Sequence, residues 1–150
     1  MKFNEKEMLQ FAQKLGRELK PQDIIVLTGE LGAGKTTFVK GLALGLDIHQ
    51  MIKSPTYTIV REYEGRLPLY HMDVYRIGDD PDSFDMDDYL FGDGVSVIEW
   101  GELLGHDLPE AYLEIIFDKY ASSLVNENER EINLIPHGTR YEQLLKKVQL

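Results

Sequence analysis

Ile24-Ile25-Val26-Leu27-Thr28-Gly29-Glu30-Leu31-Gly32-Ala33-Gly34-Lys35-Thr36-Thr37 is the stretch that decides how this chain folds. Ile24–Leu27 is a short, unbroken apolar run, the pattern of a strand covered on both faces at the centre of an α/β sheet. Gly29–Thr36 then matches G-x-x-x-x-G-K-[ST] at every fixed position. Behind it Phe38, Val39, Leu42, Ala43 and Leu46 recur at helical spacing. Strand, glycine-rich turn and helix form one βα unit with a phosphate-binding loop at its corner.

The residue types follow from that chemistry. Glycines allow positive φ and let the backbone curl closely around a phosphate. The inward N–H groups of Gly29, Glu30, Leu31, Gly32, Ala33, Gly34, Lys35, Thr36 and Thr37 would form an anion nest at the positive end of the following helix. Lys35 supplies an ammonium for the β- and γ-phosphates, and Thr36 a hydroxyl for Mg²⁺. The Asn-Lys-x-Asp and Asp-x-x-Gly elements of guanine-nucleotide switches are absent from the sequence, so ATP is the expected nucleotide.

A phosphate loop needs a carboxylate near Mg²⁺ and a group that orients attacking water. Glu99 follows the buried run Val95–Ile98, at the C-terminal end of a strand where α/β sheets bind ligands. Asp73 closes the strand Leu67–Met72 within His71-Met72-Asp73-Val74-Tyr75-Arg76, a base, an acid, a phenol and a guanidinium in six residues. Ser54-Pro55-Thr56-Tyr57-Thr58 occupies the place of a nucleotide-sensing switch. Each of these also reads as an ordinary strand end or loop entry. His49, His106 and His137 have no partners at metal-ligand spacing, and Trp100 reads as a packing residue.

Elsewhere, residues 5–20 read as an amphipathic helix opened by an Asn4/Glu7 capping box and ended by Pro21. Residues 57–64 and 67–73 read as a hairpin turning at Gly65, which makes the sheet mixed. A short acidic helix is expected in Pro81–Leu90, late strands at Leu113–Phe117 and Ile132–Ile135, and a final helix with Tyr141, Leu144, Leu145 and Val148 on its apolar face. The expected fold is α/β of the P-loop NTPase type: a mixed, mostly parallel sheet with an antiparallel hairpin and flanking helices. Residues 1–150 read as a single P-loop ATPase domain.

The composition narrows the classes further. With 43% hydrophobic and 28% charged residues in 150, the chain has a globular balance. It has no cysteine, which excludes disulfides, cysteine–zinc sites and thiol catalysis and suits a reducing, cytoplasmic setting. No apolar run approaches the roughly 18–20 residues that span a bilayer. The net charge of −10 is local. Residues 1–76 carry eleven Lys and Arg against nine Asp and Glu, and residues 119–150 carry five against four. Between Arg76 and Lys119 there are thirteen acids and no Lys or Arg. A solvated face and a docking surface for a basic partner both fit that stretch.

Gly-Glu-Leu-Gly-Ala-Gly-Lys-Thr-Thr at 29–37, Ser-Pro-Thr-Tyr-Thr at 54–58, His-Met-Asp-Val-Tyr-Arg at 71–76 and Ile-Glu-Trp at 98–100 occur in this order. Their order and spacing resemble the TsaE family, also called the YjeE/YdiB family, the small ATPase of bacterial tRNA threonylcarbamoyladenosine biosynthesis. The resemblance implies that Thr36 and Glu99 hold Mg²⁺, that Asp73 serves the metal or the water, and that 54–58 acts as a switch. It implies contacts to the base side of ATP or ADP from around Glu5 and Arg130. It also implies work with TsaD, which transfers threonylcarbamoyl to adenosine 37 of tRNA, and with TsaB, the ATPase supporting turnover of their complex. The acidic stretch suits protein contact better than tRNA contact, so the isolated chain is expected not to bind tRNA directly. A small-molecule kinase and a non-hydrolysing nucleotide switch are the alternative readings. The missing cations in 77–118 weigh against a phosphoryl-clamping lid there.

Overall fold

The run beginning at Ile24 lies in the middle of the sheet, paired on both sides. A computed structural model describes residues 2–29, 34–52, 60–73, 87–99, 109–118 and 129–148. In chain order its elements are β1 (Lys2–Phe3), α1 (Glu5–Arg17), β2 (Ile24–Gly29), α2 (Lys35–Gly45), β3 (Val60–Tyr63) and β4 (Leu69–Asp73). There follow α3 (Asp87–Leu90), β5 (Val95–Glu99), β6 (Tyr112–Asp118), β7 (Arg130–His137) and α4 (Thr139–Val148).

One seven-stranded sheet runs in the order β1-β7-β6-β2-β5-β4-β3. The central strands β6, β2, β5 and β4 are mutually parallel. β3 on one side and β7 on the other pair antiparallel, and β1 pairs antiparallel with β7. Most strands therefore run one way. The α/β class, the mixed sheet, the hairpin and the flanking helices are those expected from the sequence. Among the described residues no helix is long and apolar enough to cross a membrane.

The larger core lies between the sheet and α1, α2 and α4. Strand alternation delivers Ile25, Leu27, Leu69, Val95, Val97, Leu113 and Ile115 to that side. Ile24, Val26, Met72 and Ile98 go to the opposite side with Leu90. α1 starts as its capping box dictates: Glu7 N–H donates to Asn4 Oδ1 at 2.8 Å, and Asn4 N–H to Glu7 Oε1 at 3.0 Å. α1 lies against α2 at backbone contact distance. A Cβ on Gly41 would stand 2.5 Å from Ala12 Cβ, and one on Gly16 would stand 2.5 Å from the Leu42 carbonyl oxygen.

Two ties made across long sequence distances hold the helices on the sheet. The Arg66 guanidinium, from the β3–β4 connection, donates to the carbonyls of Gly16 (3.0 Å), Arg17 (3.3 Å) and Leu19 (3.3 Å), capping α1. Arg140 of α4 forks onto the buried Asp23 carboxylate at 3.1 and 2.6 Å, beside the Tyr141 hydroxyl that accepts the Ile24 N–H at 2.8 Å.

The departures from the sequence reading have local causes. α1 stops at Arg17 rather than running to residue 20. Asp23 Oδ2 accepts the Lys20 N–H at 2.7 Å, and Gln22 turns at φ 70°, which bends the chain into β2. β1 has two residues and no periodicity, and it forms because Lys2 and Phe3 find partners 129 and 127 residues on, at Glu131 and Arg130. Of the expected hairpin, residues 57–59 lie outside the described residues, as do 81–86 of the expected acidic helix.

Alanine at Gly41 would gain about 1 kcal/mol of intrinsic helix preference. Its methyl would also overpack the α1 contact, which typically costs about 1–3 kcal/mol. We expect Gly41→Ala to lower the unfolding free energy in urea. Leu44→Ala, at an exposed position of the same helix, should leave it within about 0.5 kcal/mol. Equal effects would contradict the close approach of α1 and α2.

Candidate functional site

The parallel strands β2, β5 and β4 end along one edge of the sheet. Leu27 is in register with Glu99, and Glu99 with Asp73. The two sequence-predicted carboxylates thus occupy neighbouring positions on adjacent strands. Gly29 ends β2, at φ 150°, pressed against Phe117 of β6: a Cβ there would stand 2.7 Å from the Phe117 carbonyl oxygen.

α2 begins on the same edge. Its N-cap is Gly34 at φ 103°, a left-handed conformation that glycine adopts without strain, and it makes no side-chain cap bond. Lys35, the first residue of α2, is 7% exposed. Its Nζ donates to the Gly29 carbonyl at 2.8 Å and lies 3.7 Å from Glu99 Oε1. Thr36 and Thr37 are half-buried in the first turn of the helix. Lys35 is therefore folded back over the strand it follows, with its charge against the carboxylate of β5.

Glu99 is itself 7% exposed. Its other oxygen, Oε2, lies 2.7 Å from Nε2 of His71, a ring on β4 with no exposed surface. Burial pushes the Glu99 carboxyl up, and the hydrogen bond and electrostatic pull of His71, joined by Lys35, more than offset it. The net result is a carboxyl below its ordinary value, ionised although almost removed from water. A buried charge of this kind is tolerated only because both oxygens have partners.

A cleft of about 500 Å³ opens on the other side of Gly34. Glu5 and Lys6 from the start of α1 line it, with Met8, Thr37 and Arg130. Glu5 and Arg130 are 125 positions apart in sequence. They meet here because β1 pairs with β7, Phe3 being in register with Arg130. The cleft and the Lys35–Glu99 pair share the N-terminal turn of α2 as a common wall.

Of the residues singled out from sequence, the structure thus gathers Gly29, Gly34, Lys35, Thr36, Asp73 and Glu99 at one edge, and Glu5, Thr37 and Arg130 around the adjoining cleft. Glu30, Leu31, Gly32 and Ala33 lie outside the described residues, as do Ser54–Thr58, Val74–Arg76 and Trp100. The link between His71 and Glu99 was not anticipated. Its signal was present in the strand period: His71 stands two residues before Asp73, on the same face of β4. The lining by Met8 had no sequence signal beyond its place on the apolar face of α1. His137, given no role, stacks on Tyr112 at a centroid distance of 4.2 Å, far from this edge in register.

A family model described as threonylcarbamoyl adenosine biosynthesis protein TsaE matches residues 3–132. The chain is 42% identical over 146 residues to the tRNA threonylcarbamoyladenosine biosynthesis protein TsaE of Bacillus subtilis, covering 97% of this chain and 89% of the relative. It is 54% identical over 98 residues to the protein of the same name from Treponema pallidum, covering 64% and 73% of the two chains. Among solved structures it is similar to Bacillus subtilis YdiB, with a TM-score of 0.82 and 39% identity, over 99% of this chain and 93% of that one.

The Glu99 carboxyl lies lower in the native state than its ordinary 4.5, so it contributes stability above that pH and loses it as pH falls through the native value. We expect the stability deficit of Glu99→Gln, measured in urea, to be full near about pH 7 and to shrink as pH falls through the lowered native value. A deficit that does not change with pH would contradict the ionised, paired carboxylate.

Proposed function

The chain belongs to the TsaE family, and from that premise we propose that it is a Mg²⁺-dependent ATPase subunit. It serves formation of the threonylcarbamoyl group on adenosine 37 of tRNA, in the cytoplasm, together with TsaD and TsaB. The observation that carries the ATPase reading is the buried Lys35 at the N-terminus of α2, its Nζ 3.7 Å from a strand-end carboxylate that neighbours Asp73 in register.

Triphosphate binding draws on the first turn of α2, where the inward N–H groups of a helix start and the helix dipole favour an anion. Lys35 is within a side-chain swing of that position and brings the compensating charge. The cleft between Glu5, Met8 and Arg130 has room for a ribose and base. Its Met8 wall is apolar and its Glu5 and Arg130 ends are polar, a mixture suited to a purine with hydrogen-bonding edges.

The donor set also suits Mg²⁺. Among the described residues no three His, Asp or Glu side chains gather into a metal cage. Thr36 with Glu99 and Asp73 supplies hard oxygen donors in the small number that Mg²⁺ takes from protein when phosphates and water complete its shell. When bound, the ion would neutralise charge developing on the phosphates. Asp73, half-buried beside Glu99, is the residue of this edge suited to orienting the attacking water. The threonylcarbamoyl chemistry itself belongs to the partners, and the acidic 77–118 stretch leaves tRNA contact to them as well.

Lys35→Ala is expected to lower ATP turnover by about 100-fold or more while keeping the wild-type circular dichroism spectrum. Unchanged ATP affinity and turnover would refute the phosphate-loop reading. Phosphate release by the wild-type chain is expected to be slow alone and to rise when TsaB and TsaD are added. Release that is indifferent to both would refute the subunit role.

A further inference from the structure

We propose that His71 is a positioning residue that fixes the Glu99 carboxylate in the orientation needed at the nucleotide site, an inference that rests on the ATPase reading above. Glu99 is the last residue of β5, with three side-chain torsions between its backbone and its carboxylate. A glutamate with that freedom samples many rotamers, and holding it in one costs up to about 2 kcal/mol of side-chain entropy. The structure holds it from the neighbouring strand. His71 is in register with Val97, two residues behind Glu99, and its ring reaches forward across the parallel β4–β5 ladder. An ionised carboxylate only accepts, so Nε2 carries the shared proton and donates it to Oε2 at 2.7 Å.

The two oxygens of Glu99 are thereby given different surroundings. Oε2 is tied to the interior of the sheet, and Oε1 is the oxygen turned toward Lys35 Nζ at 3.7 Å. The imidazole suits this task because packing alone immobilises it. It has no exposed surface, and among the described residues Nδ1 is buried without a hydrogen-bond partner. Among those residues the ring's one polar contact is with Glu99. A histidine retained only to fill the core would be replaceable by an apolar side chain of similar size. A positioning histidine is replaceable only by a group that returns an N–H to the Nε2 position.

His71→Leu keeps the bulk and removes the donor, whereas His71→Gln places an amide N–H near the Nε2 position. In the full-length protein with Mg²⁺, we expect His71→Leu to lower kcat about 10–100-fold. The KM for ATP should stay within about 2-fold of wild type. Mn²⁺ binding to the protein–ADP complex, followed by electron paramagnetic resonance, should weaken by about 10-fold or more, while metal-free ADP affinity is retained. His71→Gln should restore most of kcat and of Mn²⁺ binding. In a Glu99→Gln background, His71→Leu should cause no further loss.

The proposal is overturned if metal-free ADP binding falls as much as Mn²⁺ binding, if His71→Gln is as impaired as His71→Leu, or if the losses multiply in the Glu99→Gln background. If His71→Leu does not fold, His71→Gln is compared with His71→Asn, whose amide stops short of Glu99. The first should be active and the second impaired, and equal activities overturn the proposal. A wild-type chain that binds ADP and Mn²⁺ without hydrolysing ATP refutes the ATPase reading alone, and the Mn²⁺ arm then decides the role of His71. A wild-type chain that binds no nucleotide refutes both.

Discussion

The approach of α1 to α2 sets the dimensions of the cleft beside the candidate site. With Gly41 and Gly45 on one helix facing Ala12 and Gly16 on the other, the two backbones approach more closely than ordinary side chains permit. α2 carries Gly34–Thr37 at its start, and α1 carries Asn4–Met8 at its own. The width of the cleft between those two segments is therefore fixed by contacts lying about one and two helical turns behind it. The Arg66 cap pins the far end of α1 to the hairpin, so the helix cannot slide along its partner without breaking three hydrogen bonds.

Charge at that edge is buried and paired rather than left in water. Lys35, His71 and Glu99 are all buried, where isolated charges are expensive. They are arranged in a short chain: the Gly29 carbonyl, the Lys35 ammonium, the Glu99 carboxylate and the His71 ring. Asp23 and Arg140 show the same economy at the opposite end of β2, as a forked pair between α4 and the strand. There the pair serves packing, since its partners are the Lys20 amide and the Glu18 carbonyl. The likeness of the two arrangements shows why burial and pairing alone do not mark a functional site. What separates them is the strand end on which they sit: the Lys35–Glu99 pair lies where the parallel strands β2, β5 and β4 end, and the Asp23–Arg140 pair where β2 begins.

The sheet's centre was legible because Ile24–Leu27 and Val95–Ile98 are runs that suit only two-sided burial, and the loop between Gly29 and Lys35 admits few readings. Glu99 and Asp73 were legible as strand ends, a property of local sequence. Their adjacency was not, because it depends on β4 and β5 pairing in one register and not another. His71 was visible as part of a polar cluster with Asp73, yet the alternation of a strand sends it to the interior, where its partner comes from β5. β1 was invisible, since two residues have no period. Glu5 and Arg130 were found through resemblance to a family and through no property of their own. Only the pairing of β1 with β7 explains why positions so distant meet.

That pairing also orders events during synthesis. The wall of the cleft contributed by Arg130 lies on β7 and is made 125 residues after the wall contributed by Glu5. β7 reaches its place only by pairing with β6, which in turn lies beside the central β2. A nascent chain that has made β2 and α2 thus still has only half a cleft until β7 has emerged. A chain that stops before β7 has the β2–α2 corner without the far wall of the cleft.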